Sequence, residues 1–434
     1  MKLGFVGAGY VGLVSASGYA KRGHSCTCVD IDGRKVDQIN RGHPPIYEKG
    51  LETLLPGLVR EGKLAASSSF SSLADVDMIL ICVGTPSGTD GSVNLDFARD
   101  AAARIGEILR AAEGYKVIIV KSTVIPGSTS GVIAPILEKE SGKKAGEDFG
   151  IAMIPEFLKE GTALEDFENP DRIIIGCEDG AAFEQLRKLH SDFKSPILHV
   201  PISTAEMIKY ASNSFLATKI SFINQLANLC DRLGMDVDLV AKGMGMDRRI
   251  GPHFLKAGPG FGGSCLPKDV KALMHYSSSK GLEPTLLEAV MEINYLQPMR
   301  MIELASAELS LSGKKVAVLG LAFKAGTDDT RESPAITLVG ELVRMGCNVV
   351  AYDPKGMDNF RRLFHNIAYS KTMEEAINGA DACFIVTDWQ EFKKPLEYFE
   401  KHMAFPLVID SRRILEREGG KGKAVYKAIG RGAT

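Results

Sequence analysis

The stretch "KLGFVGAGYVGLVSASGYAKRGHSCTCVDID", Lys2 to Asp32, reads as strand, glycine turn, helix, strand. Gly7, Gly9 and Gly12 form a G-x-G-x-x-G pattern directly after an apolar run, with Tyr10 and Val11 between the last two. The first glycine permits a tight turn, the second lets the backbone approach a pyrophosphate, and the third lets the helix pack on the strand. Alone, the pattern is weak. Asp30 strengthens it: it ends the next strand at about 20 residues from the turn, where a carboxylate accepts hydrogen bonds from a ribose diol. The same carboxylate would repel a 2′-phosphate, so the cofactor expected is NAD rather than NADP.

Working outward, further apolar runs at "VDMILICVG", "KVIIVKST" and "FGIAMIP" alternate with helical stretches such as "NLDFARDAAARIGEILRAAEG". Continuous apolar strands between amphipathic helices mean a parallel sheet covered on both faces. This first domain is expected over 1–201. From Ser203 to about Leu233 the pattern becomes one long apolar helix, opened by Ser203, Thr204 and Glu206 and stopped at Gly234. More helix follows, from Pro284 to about Leu309, so 202–311 is expected to be a helical connector.

The third part, 312–434, restarts like the first. "KKVAVLGLAFKAGTDDTRESPAITLVGELVRMGCNVVAYDP" runs strand, loop, helix, strand, and its second strand ends in Asp353 as the early one ends in Asp30. Lacking G-x-G-x-x-G, this part is expected to be a mononucleotide-type sheet. The fold class is therefore α/β, two Rossmann-like doubly wound sheets joined by a helical region with a long helix. Ligands of such folds bind outside the carboxyl ends of the strands, so both sheets are expected to serve one site.

Composition narrows the partners. At 434 residues, with 45% hydrophobic and 24% charged residues, the chain matches an average multidomain globular protein. A formal charge of −2 gives no electrostatic reason to expect nucleic acid or a membrane surface as partner. No run reaches the roughly 18 apolar residues needed to span a bilayer, and the glycine-broken amino-terminal stretch does not read as a signal peptide. A cytoplasmic protein is expected. The eight cysteines show no metal-type C-x-x-C pairs, so no metal is expected. Cys26, Cys28, Cys82, Cys177 and Cys383 lie in or beside strand-like runs, as reduced core thiols.

Cys265 is different. It lies in "GPGFGGSCLPKD", between glycines and a charged pair, where Lys268 is three residues away and Lys209 is a second basic candidate from the long helix. Nearby positive charge makes a thiol a nucleophile, and the glycines Gly258, Gly260, Gly262 and Gly263 allow backbone to approach a bulky polar ligand. Lys209 and Asn213 are four apart on the long helix and share a face. Apolar neighbours on almost every side make that helix look buried all round, so Lys209 either has an anionic partner or extends its amine to water. Glu156 and Glu160 in "IPEFLKEG" follow a strand; they serve as base and positioning group, or as dipole partners of a helix start. "YSSSK" at Tyr276 matches a Tyr-x-x-x-Lys dehydrogenase pair but lies far outside the dinucleotide domain, and reads as helix surface.

NAD accepts hydride from an alcohol to give an aldehyde; a thiolate adds to it, and the thiohemiacetal can surrender a second hydride to become a thioester that water releases as an acid. The motifs together thus suggest a four-electron oxidation of a primary alcohol.

At these residues the chain resembles the UDP-glucose/GDP-mannose dehydrogenase family, through "GAGYVG", "PPIYEKGL", "CVGTP", "KSTVIPG", "PEFLKEG", "AEMIKYASN", "RIGPHFLKAGPGFGGSCLPKD", "FKAGTDDTRESP" and "IDSRR". The resemblance implies two Rossmann-like domains joined by a long helix that also forms the interface of a homodimer or higher homo-oligomer. It implies Cys265 as nucleophile, Lys209 and Asn213 stabilising charge on the substrate oxygen, Asp269 supporting lysine and water, and Thr123 and Glu156 positioning water. Glu160, Lys268, Arg331, Lys35 and the loop with Thr85 and Pro86 resemble cofactor contacts, alongside Thr123. For the nucleotide sugar, it points to Glu156, Phe157, Leu158, Lys209, Asn213, Phe254, Lys256, Gly260, Phe261, Gly262, Phe323, Lys324 and Arg412, with Arg249 reaching in from a neighbouring subunit. The motifs favour the UDP-glucose branch, with GDP-mannose as the alternative. A non-catalytic NAD-responsive regulator would leave Lys209, Glu156 and Cys265 without tasks, and a two-electron hydroxyacid dehydrogenase would need neither the thiol nor the third domain.

Overall fold

The structure is a computed structural model that describes residues 1–415 and 422–432. The chain divides into two compact units, Met1–Ser212 and Asn213 onward. In the first, eight strands form one sheet: β1 (Lys2–Val6), β2 (Ser25–Val29), β3 (Leu64–Ser67), β4 (Met78–Ile81), β5 (Val117–Val120), β6 (Gly150–Met153), β7 (Ile173–Gly176) and β8 (Ile197–Val200). Their order is β3-β2-β1-β4-β5-β6-β7-β8. Every pairing is parallel except β6 with β7, which meet through Met153 and Gly176 alone. The first six strands have the doubly wound dinucleotide-binding order, with the switch beside β1.

Period-two alternation explains why these strands are apolar throughout. Met78 and Leu80 join one buried cluster with Leu3, Phe5, Val117 and Ile119. Ile79 and Ile81 join the other with Val6, Ile118 and Val120. Helices cover both faces, so no position along β4 or β5 is left for a polar side chain, and each fully buried aliphatic contributes about 1.5–3 kcal/mol.

The second unit repeats the plan. Strands β9 (Lys315–Leu319), β10 (Asn348–Tyr352), β11 (Ala368–Tyr369), β12 (Ala382–Ile385), β13 (Leu407–Asp410) and β14 (Val425–Ala428) lie in the order β11-β10-β9-β12-β13-β14. All pairings are parallel. This is the doubly wound order expected of a second Rossmann-like sheet. The chain is thus α/β with two parallel-sheet domains and a central helical region.

That region opens with a helix over Ile202–Leu233, which begins one residue before the expected start. Its first amide, on Ile202, is capped by the Glu178 carboxylate at 3.0 Å. Glu206 does not cap its own helix; it accepts from the Gly127 and Thr129 amides at 2.6 and 2.8 Å. The helix is not buried all round. Phe215, Phe222 and Leu229 are 64%, 45% and 51% exposed, and their spacing of seven puts them on one stripe. The expectation that the helix is buried all round failed because apolar residues mark what can be covered, not what this chain itself covers. Helices Leu266–Ser279 and Thr285–Ser306 complete the region. Tyr276 sits on the former with Lys280 over its ring, on a helix outside both sheets. Among the described residues, no helix is long and apolar enough to cross a membrane. All eight cysteines are free thiols; Cys26, Cys28, Cys82, Cys177 and Cys383 are buried and Cys265 is exposed.

Candidate active site

In the first unit the glycine turn joins β1 to the helix Tyr10–Lys21. Gly7 has φ +98°, and a Cβ there would lie 2.9 Å from the Cys82 carbonyl oxygen. A Cβ at Gly12 would lie 1.8 Å from the Gly7 carbonyl oxygen. These two glycines are demanded by the chain's own packing. Gly9 is not: a Cβ there would meet nothing within 4 Å. Open space above a glycine at a helix start is what a pyrophosphate requires, so the turn fits the dinucleotide. Asp30 reinforces the fit. Its Oδ2 accepts the Ala8 amide at 2.8 Å and its Oδ1 the Asp32 amide at 2.9 Å, and Lys35 stands 3.7 Å away. Two backbone bonds leave acceptor capacity on this carboxylate for a ribose. Thr85 donates to the Thr123 carbonyl at 2.8 Å, joining the two loops expected to hold cofactor.

Asp353 holds the matching place in the second sheet and answers differently. Its Oδ2 accepts from Leu321, Ala322 and the Trp389 indole, and its Oδ1 from Lys355 and Gly356. Five donors consume the carboxylate, which is fully buried. Gly320 copies Gly7 with φ +97°. The second sheet therefore keeps the tight turn and lacks a free acid for a dinucleotide ribose.

Beside the first sheet's carboxyl edge, Lys209 pairs with Glu156. The ammonium lies 2.9 Å from Glu156 Oε1 and donates to the Glu156 carbonyl at 2.7 Å. Both side chains are buried, so the anionic partner expected of a buried lysine is Glu156 itself. Burial alone would raise the Glu156 carboxyl, but the Lys209 ammonium, with the Leu158 amide and the Lys121 charge, holds the pKa below the ordinary glutamate value. Leu158 donates its amide to Glu156 Oε2 at 2.7 Å. The Phe157 ring carries Arg172 at 4.0 Å and Lys209 at 5.4 Å. Glu160 lies near enough to Tyr10 for its charge to act on that phenol. Lys121, one residue past β5, is also buried; desolvation lowers its pKa, and the Glu156 and Lys209 charges both act on it. It carried no sequence signal beyond ending a strand.

In the second unit, Cys265 is the N-cap residue of helix Leu266–Ser279. Asn213 Nδ2 donates to Asp269 Oδ2 at 2.6 Å. Lys268 lies 2.7 Å from Asp269 Oδ1, so three predicted residues form one array one turn into the helix that Cys265 opens. The preceding glycines have a cause the sequence did not show. A Cβ at Gly262 would lie 2.3 Å from the Glu332 carbonyl oxygen; at Gly263, 2.8 Å from the Phe323 ring; at Gly260, 2.8 Å from Asn294 Oδ1; and at Gly258, 3.3 Å from Arg412. They let the loop seat on its own unit, against segments that carry Phe323 and Arg412.

Other candidates are more dispersed. Phe261 is buried with Ala217, Val270 and Val290, while Asn294 holds its backbone at both ends, 2.7 and 3.0 Å. Arg412 donates to the Val386 and Phe323 carbonyls at 2.8 and 3.2 Å, and burial lowers its pKa. Lys324 stands 5.6 Å from the Phe323 ring centre. Arg331 forms a two-point pair with Asp329, and its carbonyl accepts the Gly263 amide at 2.9 Å. Arg249 is exposed and engaged by Asp247; Phe254 has φ +63°, and Lys256 is exposed. The contacts of two buried carboxylates carried no sequence signal. Glu48, in the quoted "PPIYEKGL", and Glu206 earn their positions through long-range backbone contacts, which no local pattern signals.

A dinucleotide turn with a free ribose acceptor, set in a sheet whose edge carries a buried lysine–carboxylate pair, defines an NAD-dependent dehydrogenase. Comparison with known proteins gives its kind. The NAD binding domain of the UDP-glucose/GDP-mannose dehydrogenase family matches residues 1–194, its central domain 203–295 and its UDP binding domain 317–417. The chain belongs to this family. It is 43% identical to the UDP-glucose 6-dehydrogenase AglM of Haloferax volcanii, covering 97% of this chain and 98% of that one. It is 40% identical to the UDP-glucose 6-dehydrogenase YwqF of Bacillus subtilis, covering 100% and 98%. Among solved structures, a UDP-glucose dehydrogenase from Pyrobaculum islandicum superposes with a TM-score of 0.91 at 36% identity, covering 99% of this chain and 97% of that one.

Proposed function

We propose that this chain oxidises the C6 primary alcohol of UDP-glucose to the carboxylate, giving UDP-glucuronate through a covalent intermediate on Cys265. The observation that carries the reading is an exposed thiol at a helix start, with the Asn213–Asp269–Lys268 array in the turn that follows. The positive end of the helix favours an anionic sulfur. NAD, when bound, supplies the hydride acceptor for both oxidations.

The remaining work belongs to the chain. Lys209 and Asn213 stabilise charge on the substrate oxygen as the alcohol loses its proton and hydride. The Cys265 thiolate adds to the resulting aldehyde carbon, and the oxygen takes a proton, giving a thiohemiacetal. Loss of a second hydride and proton leaves a thioester. Water, positioned by Thr123 and Glu156, attacks the carbonyl carbon; the C–S bond breaks, the acid is released and the thiol is restored. Asp269 holds Asn213 and Lys268 in register and supports the water. Gly7, Gly9, Gly12, Asp30, Lys35 and the Thr85–Thr123 pair hold the cofactor, with Glu160, Lys268 and Arg331 as further contacts. Arg412, Phe323 and Lys324, with the loop from Lys256 to Gly262, hold the nucleotide sugar.

Support for UDP-glucose comes from the relatives named above. The three-part division 1–201, 202–311 and 312–434 is part of the proposal, as is a homo-oligomer formed through the exposed stripe of the long helix. A cytoplasmic location is part of the proposal, since a catalytic thiol works only while it is kept reduced. The test is a panel of UDP-glucose, GDP-mannose, UDP-galactose and UDP-N-acetyl sugars assayed for NADH formation. UDP-glucose is expected to give the highest kcat/KM, and preference for GDP-mannose would overturn the substrate assignment.

A further inference from the structure

Glu48 has no part in the chemistry above, yet its carboxylate is 2% exposed in the middle of the first unit. It lies between the helices Gly33–Asn40 and Leu51–Arg60. Glu48 Oε2 accepts the Gly161 amide at 2.7 Å, and Oε1 accepts the Ala163 amide at 2.8 Å. The Tyr10 hydroxyl donates to Oε2 as well, and the Gly161 amide also lies 2.7 Å from that hydroxyl oxygen. Burial, then the bond to Glu48, pushes the Tyr10 phenol far above its ordinary range. Tyr10 is thereby kept a neutral donor.

Three segments far apart in sequence meet at this carboxylate. Tyr10 begins the helix that follows the glycine turn. Gly161 and Ala163 end the segment that starts at Glu156, which is itself fixed by Lys209. Backbone amides have no rotamers to absorb a shift, so charge-assisted bonds to them fix the main chain directly. Moving residues 156–161 would strand a buried carboxylate, and moving Tyr10 would remove one of its donors.

We propose that Glu48 is a positioning residue that ties the segment carrying Glu156 and Glu160 to the cofactor-binding turn, so that NAD binding and the alignment of Glu156 are coupled through it. The proposal rests on the function assigned above. Glu48→Gln is the informative variant: it is isosteric, keeps one acceptor, and sets an NH2 group against donors. It is expected to raise the NAD dissociation constant about fivefold, measured without sugar nucleotide, and to lower kcat about tenfold or more, with the UDP-glucose KM within about twofold of wild type. Tyr10→Phe should weaken NAD binding too, and the double variant should bind NAD no more weakly than Glu48→Gln alone, because the two groups act as one unit. A lowered melting temperature with unchanged NAD affinity and kcat per folded enzyme would make Glu48 merely structural and overturn the proposal. Additive losses in the double variant would overturn it as well. Should the wild type oxidise no nucleotide sugar, the assigned function falls, and the NAD-binding arm still decides the role of Glu48.

Discussion

Lys209 and Glu156 form an ion pair taken out of water, where removing one partner costs more than the pair contributes. Lys209→Ala is expected to destabilise the fold by about 3–5 kcal/mol in denaturant titration. It should also shift the acid limb of the pH–rate profile upward, because burial then raises the Glu156 carboxyl with only the Leu158 amide and the Lys121 charge left to oppose it; an unmoved limb would remove Glu156 from the rate-determining chemistry. His190 makes a prediction away from the site. Its Nδ1 faces the Leu186 carbonyl at 2.8 Å and must donate, so its Nε2 accepts from the Tyr19 hydroxyl, also at 2.8 Å. Burial lowers its pKa from 6.5 to about 4. The unfolded state therefore binds a proton between those values that the folded state does not, and stability present above pH 6.5 is lost as pH falls toward 4. The loss is about 3 kcal/mol at 1.36 kcal/mol per pH unit, and His190→Gln should flatten that part of the stability–pH curve.

The cysteine loop shows how an element is fixed by packing that sequence does not display. Glycine spacing in "GPGFGGSC" marked the loop, yet the cause of the glycines lies in Phe323, Asn294, Glu332 and Arg412, residues up to about 150 positions away. Gly262→Ala places a Cβ against backbone that cannot rotate aside. The loop must shift, and a displacement on the order of 1 Å is enough to lower kcat about 100-fold. Wild-type kcat in Gly262→Ala would show that the seating on Glu332 does not position the thiol. The glycine pattern was legible because part of its constraint is local: a Cβ at Gly12 would strike the Gly7 carbonyl in the same turn, and Asp30 bonds back to Ala8, whereas Gly7 answers to Cys82, just past β4. The burial of Glu48 and Glu206 was not legible, since a buried carboxylate and a surface one look alike until their amide partners are known.

Across the whole molecule, alternation of apolar runs and helices revealed two parallel sheets, because strands buried on both faces leave an unbroken apolar record. Strand order did not show in that record, nor did the antiparallel junction of β6 and β7, which rests on Met153 and Gly176 alone. The exposed heptad Phe215, Phe222 and Leu229 supports self-association through the long helix. Phe222→Glu should shift the enzyme to a smaller species in sedimentation velocity, and an unchanged coefficient would move the interface elsewhere. The proposed reaction turns on Cys265 carrying the substrate between two oxidations. It is tested most directly by counting NADH formed per UDP-glucose consumed to completion in wild type and in Cys265→Ala. Two are expected for the wild type and no acid product from the variant; a wild-type yield of one, or acid formed at an unaltered rate by Cys265→Ala, would rule out that role for the thiol.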